Sequence, residues 1–196
     1  MNAKKLSKLN GKRRKDKAVF LDRDGTLVED IGYPYKEEHF KLLPGVIDGL
    51  KKLSEDFIFA IITNQSGIGR GIYTEKDMHN FNMILTQELK KNSVEIKKIY
   101  HCPHSPEEVC DCRKPNDKYI KEAEKEFDID VKNSWAIGDH PHDAEMGIRA
   151  GCRTIYLLTG HGKHHFEELA ERKIKPDLVA DNFLQAAEFI IKHSME

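Results

Sequence analysis

The 196-residue sequence contains no apolar run long enough to cross a bilayer. Its amino terminus also lacks the apolar core of a secretory signal. These absences argue against a membrane-spanning helix and an exported precursor, and they predict a cytoplasmic protein. Net charge is equally scarce, at -1 with a pI near 6.8, so no global field draws the chain to nucleic acid or anionic lipid. There are only four cysteines, and in this context a disulfide framework is not expected. No internal repeat is present.

What remains suits a soluble globular protein, with 39% hydrophobic and 33% charged residues. The length allows one well-buried domain with a modest insertion and is short for two. Residues 1–17 are strongly basic, with Lys4, Lys5, Lys8, Lys12, Arg13, Arg14, Lys15 and Lys17 against Asp16 alone. This stretch reads as a solvated tail ahead of a single domain over 18–196, in preference to an arm for nucleic acid.

The most informative stretch is Phe20-Leu21-Asp22-Arg23-Asp24-Gly25-Thr26. A short apolar run, Ala18 to Leu21, ends in two carboxylates followed by glycine, the pattern of a buried strand entering a turn. Side chains at the carboxyl end of such a strand project into the ligand-binding crevice of an open α/β sheet. Two carboxylates forced together raise each other's pKa unless a cation separates them, and magnesium suits oxygen ligands.

The chain then alternates between helical and strand periods. A helix starting at Pro44 carries Val46, Ile47, Leu50 and Leu53, and Phe57–Ile62 reads as a strand covered on both faces. Thr74 caps a helix with Met78, Phe81, Ile84, Leu85 and Leu89 in phase. Strands are predicted at Ile96–Tyr100, Ser134–Ile137, Arg153–Leu158 and Pro176–Ala180. Helices are predicted near Asn116–Phe127, Asp143–Ala150 and Phe183–Ile191. Glu29–Leu43 is aperiodic and reads as a loop reaching over the site. The order implies a doubly wound, mainly parallel α/β fold with right-handed crossovers.

Polar clusters follow the strands: Asp22 and Asp24, then Thr63-Asn64-Gln65, then Gly138-Asp139, with Arg113-Lys114-Pro115 opening a helix. This set provides what phosphoryl transfer needs. Asp22 could attack phosphorus, and Asp24 could move protons to the leaving group and from water. Thr63 and Lys114 could bond the equatorial oxygens of the transferring group. Magnesium held by Asp22, Asp139 and a carbonyl of the first turn would offset charge repulsion.

A second cluster, Cys102-Pro103-His104 with Cys110-Asp111-Cys112, falls in an irregular insertion at about 101–115. Three thiolates and an imidazole suit a closed, structural zinc site, with His101 a rival ligand to His104. Cys152 lies apart and reads as a small core residue.

In order, Asp22-x-Asp24-Gly25-Thr26, Thr63, Lys114 and Gly138-Asp139 resemble the four motifs of the haloacid dehalogenase superfamily of phosphatases, over about Ala18 to Leu158. The resemblance implies a Rossmann-type fold, Asp22 as nucleophile, Asp24 as acid/base, and the Asp24 carbonyl as a magnesium ligand. Cys-Asp-Cys-Arg-Lys-Pro and Thr63-Asn64-Gln65-Ser66-Gly67-Ile68 resemble the small branch without a large cap domain, which includes heptose bisphosphate and histidinol-phosphate phosphatases. That branch implies zinc on Cys102, His104, Cys110 and Cys112. It implies a substrate pocket lined by Asp30, Ile31, Gly32, Tyr33, Thr63, Asn64, Gln65, Ser66 and Arg113. His140 adjoins Asp139 and could also touch substrate. The Ser66-Gly67-Ile68-Gly69-Arg70-Gly71 stretch favours a sugar phosphate such as D-glycero-D-manno-heptose 1,7-bisphosphate over histidinol phosphate.

Two features depart from the heptose pattern: His140, where lysine is common, and the stretch Gly160-His161-Gly162-Lys163-His164-His165. Polynucleotide 3'-phosphatases share part of the first motifs but lack the Cys/His cluster. An inactive module that only binds a phosphorylated ligand is disfavoured because every chemical group is present. The expected partner is therefore a small phosphorylated metabolite, and the expected state a monomer.

Overall fold

The computed structural model of the protein describes residues 15–194; most of the basic stretch lies outside that range. Strand β1 (Lys17–Leu21) opens the fold and is followed by a loop, with a single 3₁₀ turn at Glu37–His39, that leads to α1 (Val46–Leu53). Then come β2 (Phe57–Asn64), the one-turn helix α2 (Ser66–Gly69), α3 (Glu75–Lys91) and β3 (Ile96–Cys102). The irregular insertion follows, and after it α4 (Lys118–Phe127), β4 (Trp135–Gly138), α5 (Pro141–Ala150) and β5 (Arg153–Leu157). The chain closes with α6 (Phe166–Glu171), β6 (Leu178–Ala180) and α7 (Phe183–Ser194).

The six strands pair in parallel, in the order β3-β2-β1-β4-β5-β6. The order reverses between β1 and β4, so a crevice opens at the carboxyl ends of those two strands. Alternation within β1 sorts the core into two layers. Val19 and Leu21 face a layer built with Leu50 and Leu53 of α1, Phe81 and Leu85 of α3, and Phe183 and Ile190 of α7. Ala18 and Phe20 face the other, with Ile120 and Ala123 of α4 and Met146 of α5. Among the described residues no helix is long and apolar enough to cross a membrane.

The predicted elements are present, with two further α-helices and short 3₁₀ turns at Glu37–His39 and Val131–Asn133. Neither α2 nor α6 was expected, because at 4 and 6 residues they are too short to show a helical period. Helix α5 also begins two residues before the predicted start, with Pro141 in its first turn and the His140 side chain capping the amide of His142. Cys152 is buried in the α4/α5 layer.

Candidate active site

Asp22 is the next residue in the alternation that buries Ala18 and Phe20. It remains in the ladder, its N–H donating to the Ile137 carbonyl at 2.9 Å. It therefore faces the side covered by α4 and α5, from which two partners arrive. Lys114, just before α4, is buried with its Nζ 2.6 Å from Asp22 Oδ1 and 2.6 Å from Asp143 Oδ1, and donates to the Ile62 carbonyl at 3.0 Å. Asn64 fixes that lysine from the backbone: its Oδ1 accepts the Lys114 N–H at 3.1 Å, and its Nδ2 donates to the Lys114 carbonyl at 3.4 Å.

Negative charge exceeds positive here. Burial raises the Asp22 carboxyl most; Lys114 opposes the rise, Asp143 and Asp24 add to it, and the pKa is pushed up to about 7. Asp139 is held well above the usual carboxylate range by burial, then by Asp22 and Asp143. Burial also works against the Lys114 charge, but Asp143 and Asp22 outweigh it and keep the ammonium. Oxygens of Asp22, Asp139 and Asp143 lie within 4.8 Å of one another. With Asp143 occupied by Lys114 and by the His140 N–H at 3.0 Å, Asp22 and Asp139 form an under-compensated pair suited to a hard divalent cation.

The approach to Asp139 is narrow. A Cβ on Gly25, at φ +76°, would sit 2.1 Å from Asp139 Oδ2; one on Gly160, at φ +49°, would sit 2.2 Å from that oxygen and 2.5 Å from the Gly25 Cα. Only glycine fits either position. The same oxygen accepts the His161 N–H at 2.8 Å, and Thr159 Oγ1 donates to the Gly25 carbonyl at 2.6 Å.

Asp24 belongs to a separate, fully partnered network. The Arg23 guanidinium, with no exposed surface, donates from Nε to Asp24 Oδ1 at 2.8 Å and from Nη2 to Asp24 Oδ2 at 2.9 Å. It also donates to Asn82 Oδ1, Gln65 Oε1 and the Pro34 carbonyl, and lies over the Phe81 ring. Gln65 Nε2 donates to Asp24 Oδ2 and to Thr63 Oγ1, while Tyr73 Oη donates to Gln65 Oε1 at 2.7 Å.

Asp22, Asp24, Thr63, Asn64, Gln65, Tyr73, Lys114, Asp139 and Asp143 line one cavity of about 290 Å³, together with Asp30, Gly32, Tyr33, Pro34, Ser66, Arg113, His140, His142 and His161, while Arg23 stands behind its wall. Ile31 is not among the lining residues. The Gly32 N–H donates to Asp30 Oδ1 at 2.7 Å, and that tight turn directs Asp30 inward and leaves Ile31 54% exposed. Asn64 and Gln65 reach the cavity with side chains already engaged in holding Lys114 and Asp24. On the far wall His140 and His142 stack at 4.5 Å, each with a pKa lowered to about 4, first by burial and then by neighbouring charge. His161 Nε2 stands 3.3 Å from Asp30 Oδ2, linking the loop after β5 to the loop after β1.

Sequence reasoning did not assign Asp143, Arg23, Tyr73, Gly160 or His161 to the site. Asp143 carried a usable signal, since it stands four residues after Asp139 at the start of a helix; Arg23 lay inside the first motif and Gly160 and His161 in the stretch that departs from the heptose pattern, but no local pattern gave them a role, and Tyr73 carried no signal.

The insertion gathers Cys102, His104, Cys110 and Cys112. Cys102 Sγ is 3.7 Å from Cys110 Sγ and 3.5 Å from His104 Nδ1, which lies 3.3 Å from Cys112 Sγ. Sulfurs bound tetrahedrally to zinc at about 2.3 Å stand roughly 3.8 Å apart, so the donor set fits that metal. His101 points elsewhere, to Glu75. Arg113 Nη1 donates to the His104 carbonyl at 3.3 Å, so the loop also orients a cavity cation.

Comparison with known proteins identifies the family. Residues 111–186 match a family model described as HAD-hydrolase-like. A Campylobacter jejuni D-glycero-alpha-D-manno-heptose-1,7-bisphosphate 7-phosphatase is 41% identical over 150 residues, covering 76% of this chain and 86% of its own length. A Haemophilus influenzae D-glycero-beta-D-manno-heptose-1,7-bisphosphate 7-phosphatase is 40% identical, covering 76% and 88%. A heptose bisphosphate phosphatase structure from B. bronchiseptica, complexed with magnesium and phosphate, superposes with a TM-score of 0.82 at 26% identity, covering 90% of this chain and 99% of that one.

Proposed function

The chain belongs to the haloacid dehalogenase superfamily and is a phosphatase, and from that premise we propose that it uses magnesium to hydrolyse D-glycero-D-manno-heptose 1,7-bisphosphate. The observation that carries this reading is the meeting of Asp22, Lys114, Asp24, Thr63 and Asp139 around one cavity, together with relatives named for that reaction.

Asp22 acts as the nucleophile. Its carboxylate attacks phosphorus, the sugar alkoxide leaves, and an aspartyl phosphate forms; water then cleaves that phosphate and restores the acid. Lys114 keeps Asp22 oriented and contributes positive charge where the equatorial oxygens gather. Thr63, held by Gln65, presents its hydroxyl to the same oxygens. Asp24 transfers the proton to the leaving oxygen and takes one from the attacking water, with its orientation set by Arg23 and Gln65. Asp22, Asp139 and the Asp24 carbonyl would hold magnesium, whose charge offsets repulsion between carboxylate and phosphate.

The outer wall, Asp30, Gly32, Tyr33, Ser66, Arg113 and His140, contacts the sugar and the phosphate that stays. Zinc on Cys102, His104, Cys110 and Cys112 has a structural part, since four protein ligands leave no position for water and the loop carries Arg113 and Lys114.

The test is phosphate release from a panel: the alpha and beta anomers of the heptose bisphosphate, histidinol phosphate and a 3'-phosphorylated oligonucleotide, each with and without magnesium. The expected result is magnesium-dependent release of a single phosphate from a heptose bisphosphate, leaving the 1-phosphate in place. A higher kcat/KM on either of the other substrates would overturn the assignment.

A further inference from the structure

Among the described residues, three metal-binding side chains come together outside both the cavity and the cysteine cluster. Glu75 and His79 stand one turn apart on the first two turns of α3, and so share a face. His101 meets them from β3, an edge strand of the sheet. Its Nε2 is 2.9 Å from Glu75 Oε1, and His79 Nε2 is 3.8 Å from that same oxygen. The two imidazole rings lie 5.5 Å apart at 85°, and one ligand atom from each of the three residues falls within 4.8 Å of the others.

We propose that Glu75, His79 and His101 form a further metal site that takes a divalent transition ion such as zinc through one carboxylate and two imidazoles, leaving one coordination position open. A tetrahedral ion with ligands at about 2.0–2.1 Å holds them roughly 3.3 Å apart. The two separations to Glu75 Oε1, 2.9 and 3.8 Å, bracket that edge, and the edge between the two imidazoles lies within 4.8 Å, so closing the triangle takes side-chain rotation at the exposed Glu75 and His79 and no movement of the backbone. Imidazole with carboxylate selects zinc, nickel or copper over magnesium or calcium. A lone carboxylate leaves the bound dication with net positive charge, so the open position would take water or an anion.

The supports are rigid. The amino end of α3 is fixed by a reciprocal Thr74–Asp77 capping box, and the His101 carbonyl accepts the Tyr119 hydroxyl at 2.6 Å. The simpler use of these groups is the hydrogen bond between His101 and Glu75, and an incoming ion takes the place of the proton in that bond. Metal here would pin the start of α3 to the sheet edge. That point lies two residues from Tyr73 in the cavity wall and one residue from Cys102 in the cysteine cluster.

The experiment is zinc titration by isothermal calorimetry on protein whose cysteine loop is already loaded, with magnesium at saturation. The parent protein is compared with His79→Gln, Glu75→Gln and, as a histidine control elsewhere, His164→Gln. Glu75 and His79 side chains are 56% and 60% exposed, so these variants are expected to fold, and circular dichroism checks that. The expected result is a further equivalent of zinc bound by the parent and by His164→Gln, and lost from both His79→Gln and Glu75→Gln. Cobalt in the same site should give the intense visible bands of a four-coordinate ion. No further equivalent in the parent, or unchanged uptake by His79→Gln, would overturn the proposal.

Discussion

Arg23 grips its sequence neighbour Asp24 with two nearly parallel bonds, Nε to Oδ1 at 2.8 Å and Nη2 to Oδ2 at 2.9 Å, without exposing any of its own surface. A charge that deep is tolerable only because every arm of the guanidinium finds an acceptor. Arg23→Ala is expected to destabilise the protein by about 3–5 kcal/mol, the usual cost of breaking a buried charge pair. Urea unfolding measures this. Arg23→Lys keeps the charge but loses the two-pronged grip, so it should lower kcat more than it raises KM.

Asp22→Asn should lower turnover by several orders of magnitude, because an amide cannot attack phosphorus. The same change removes one under-compensated buried charge. The thermal midpoint measured without magnesium near pH 8 should therefore rise while activity vanishes. An active Asp22→Asn protein would remove Asp22 from the nucleophile role.

The pH dependence of metal stabilisation follows from the raised acids. Asp22 has an ordinary value of 3.8 and about 7 in the fold, and Asp139 shifts in the same direction. As pH rises past the ordinary value, the unfolded chain loses these protons first. Their contribution to the stability of metal-free protein is thus present at low pH and lost on the way to about 7. His140 and His142, lowered from 6.5 to about 4, act oppositely, losing stability as pH falls; comparison at equal pH with and without magnesium cancels much of that. The thermal shift caused by magnesium should be larger at pH 8 than at pH 5.

Gly160→Ala adds a Cβ where Asp139 and Gly25 leave no space. Displacing the Asp139 carboxylate should raise the magnesium concentration for half-maximal rate, with a stability loss of roughly 1–3 kcal/mol from strain. Partial rescue of kcat by excess magnesium would distinguish this from general misfolding.

If the cysteine cluster holds zinc as proposed, stripping that metal by chelation and restoring magnesium, or Cys112→Ser, should abolish turnover while leaving most of the far-ultraviolet dichroism of the sheet. Burial pushes the Cys102 thiol up to about 12, so without metal it stays protonated and supplies no charge to order the loop. Arg113 and Lys114 then lose the anchor that sets their direction.

How much could be read in advance varied with the kind of interaction. The strand Phe57–Asn64 shows as a continuous apolar run of strand length, and the helix Glu75–Lys91 is long enough for its period to be visible. Helices α2 and α6 are shorter than two turns, so they had no period to show. Ile31 was assigned to the substrate wall from its neighbours, but the Asp30 turn places it in solvent. Asn64 and Gln65 were expected to meet substrate, yet their amides are bonded to Lys114 and Asp24. Hydrogen-bond allocation of this kind depends on which groups the fold brings within 3 Å or so, a quantity no local pattern contains.

The sequence by itself determined the alternating α/β order, the two carboxylates at the end of β1, the ordered motifs that identify a phosphatase, and a Cys/His set of metal-ligand spacing. These are legible because periodicity and short-range spacing are properties of the chain. Only the tertiary structure decided that Asp143 shares Lys114 with Asp22, that Gly160 closes on Asp139, that Arg23 holds Asp24, and that His101 turns to Glu75 instead of the cysteines. Each of those pairings except Arg23–Asp24 joins separate segments. Their energies, like the orientation and burial of Arg23 itself, come from desolvation and charge proximity, which exist only once the sheet has assembled.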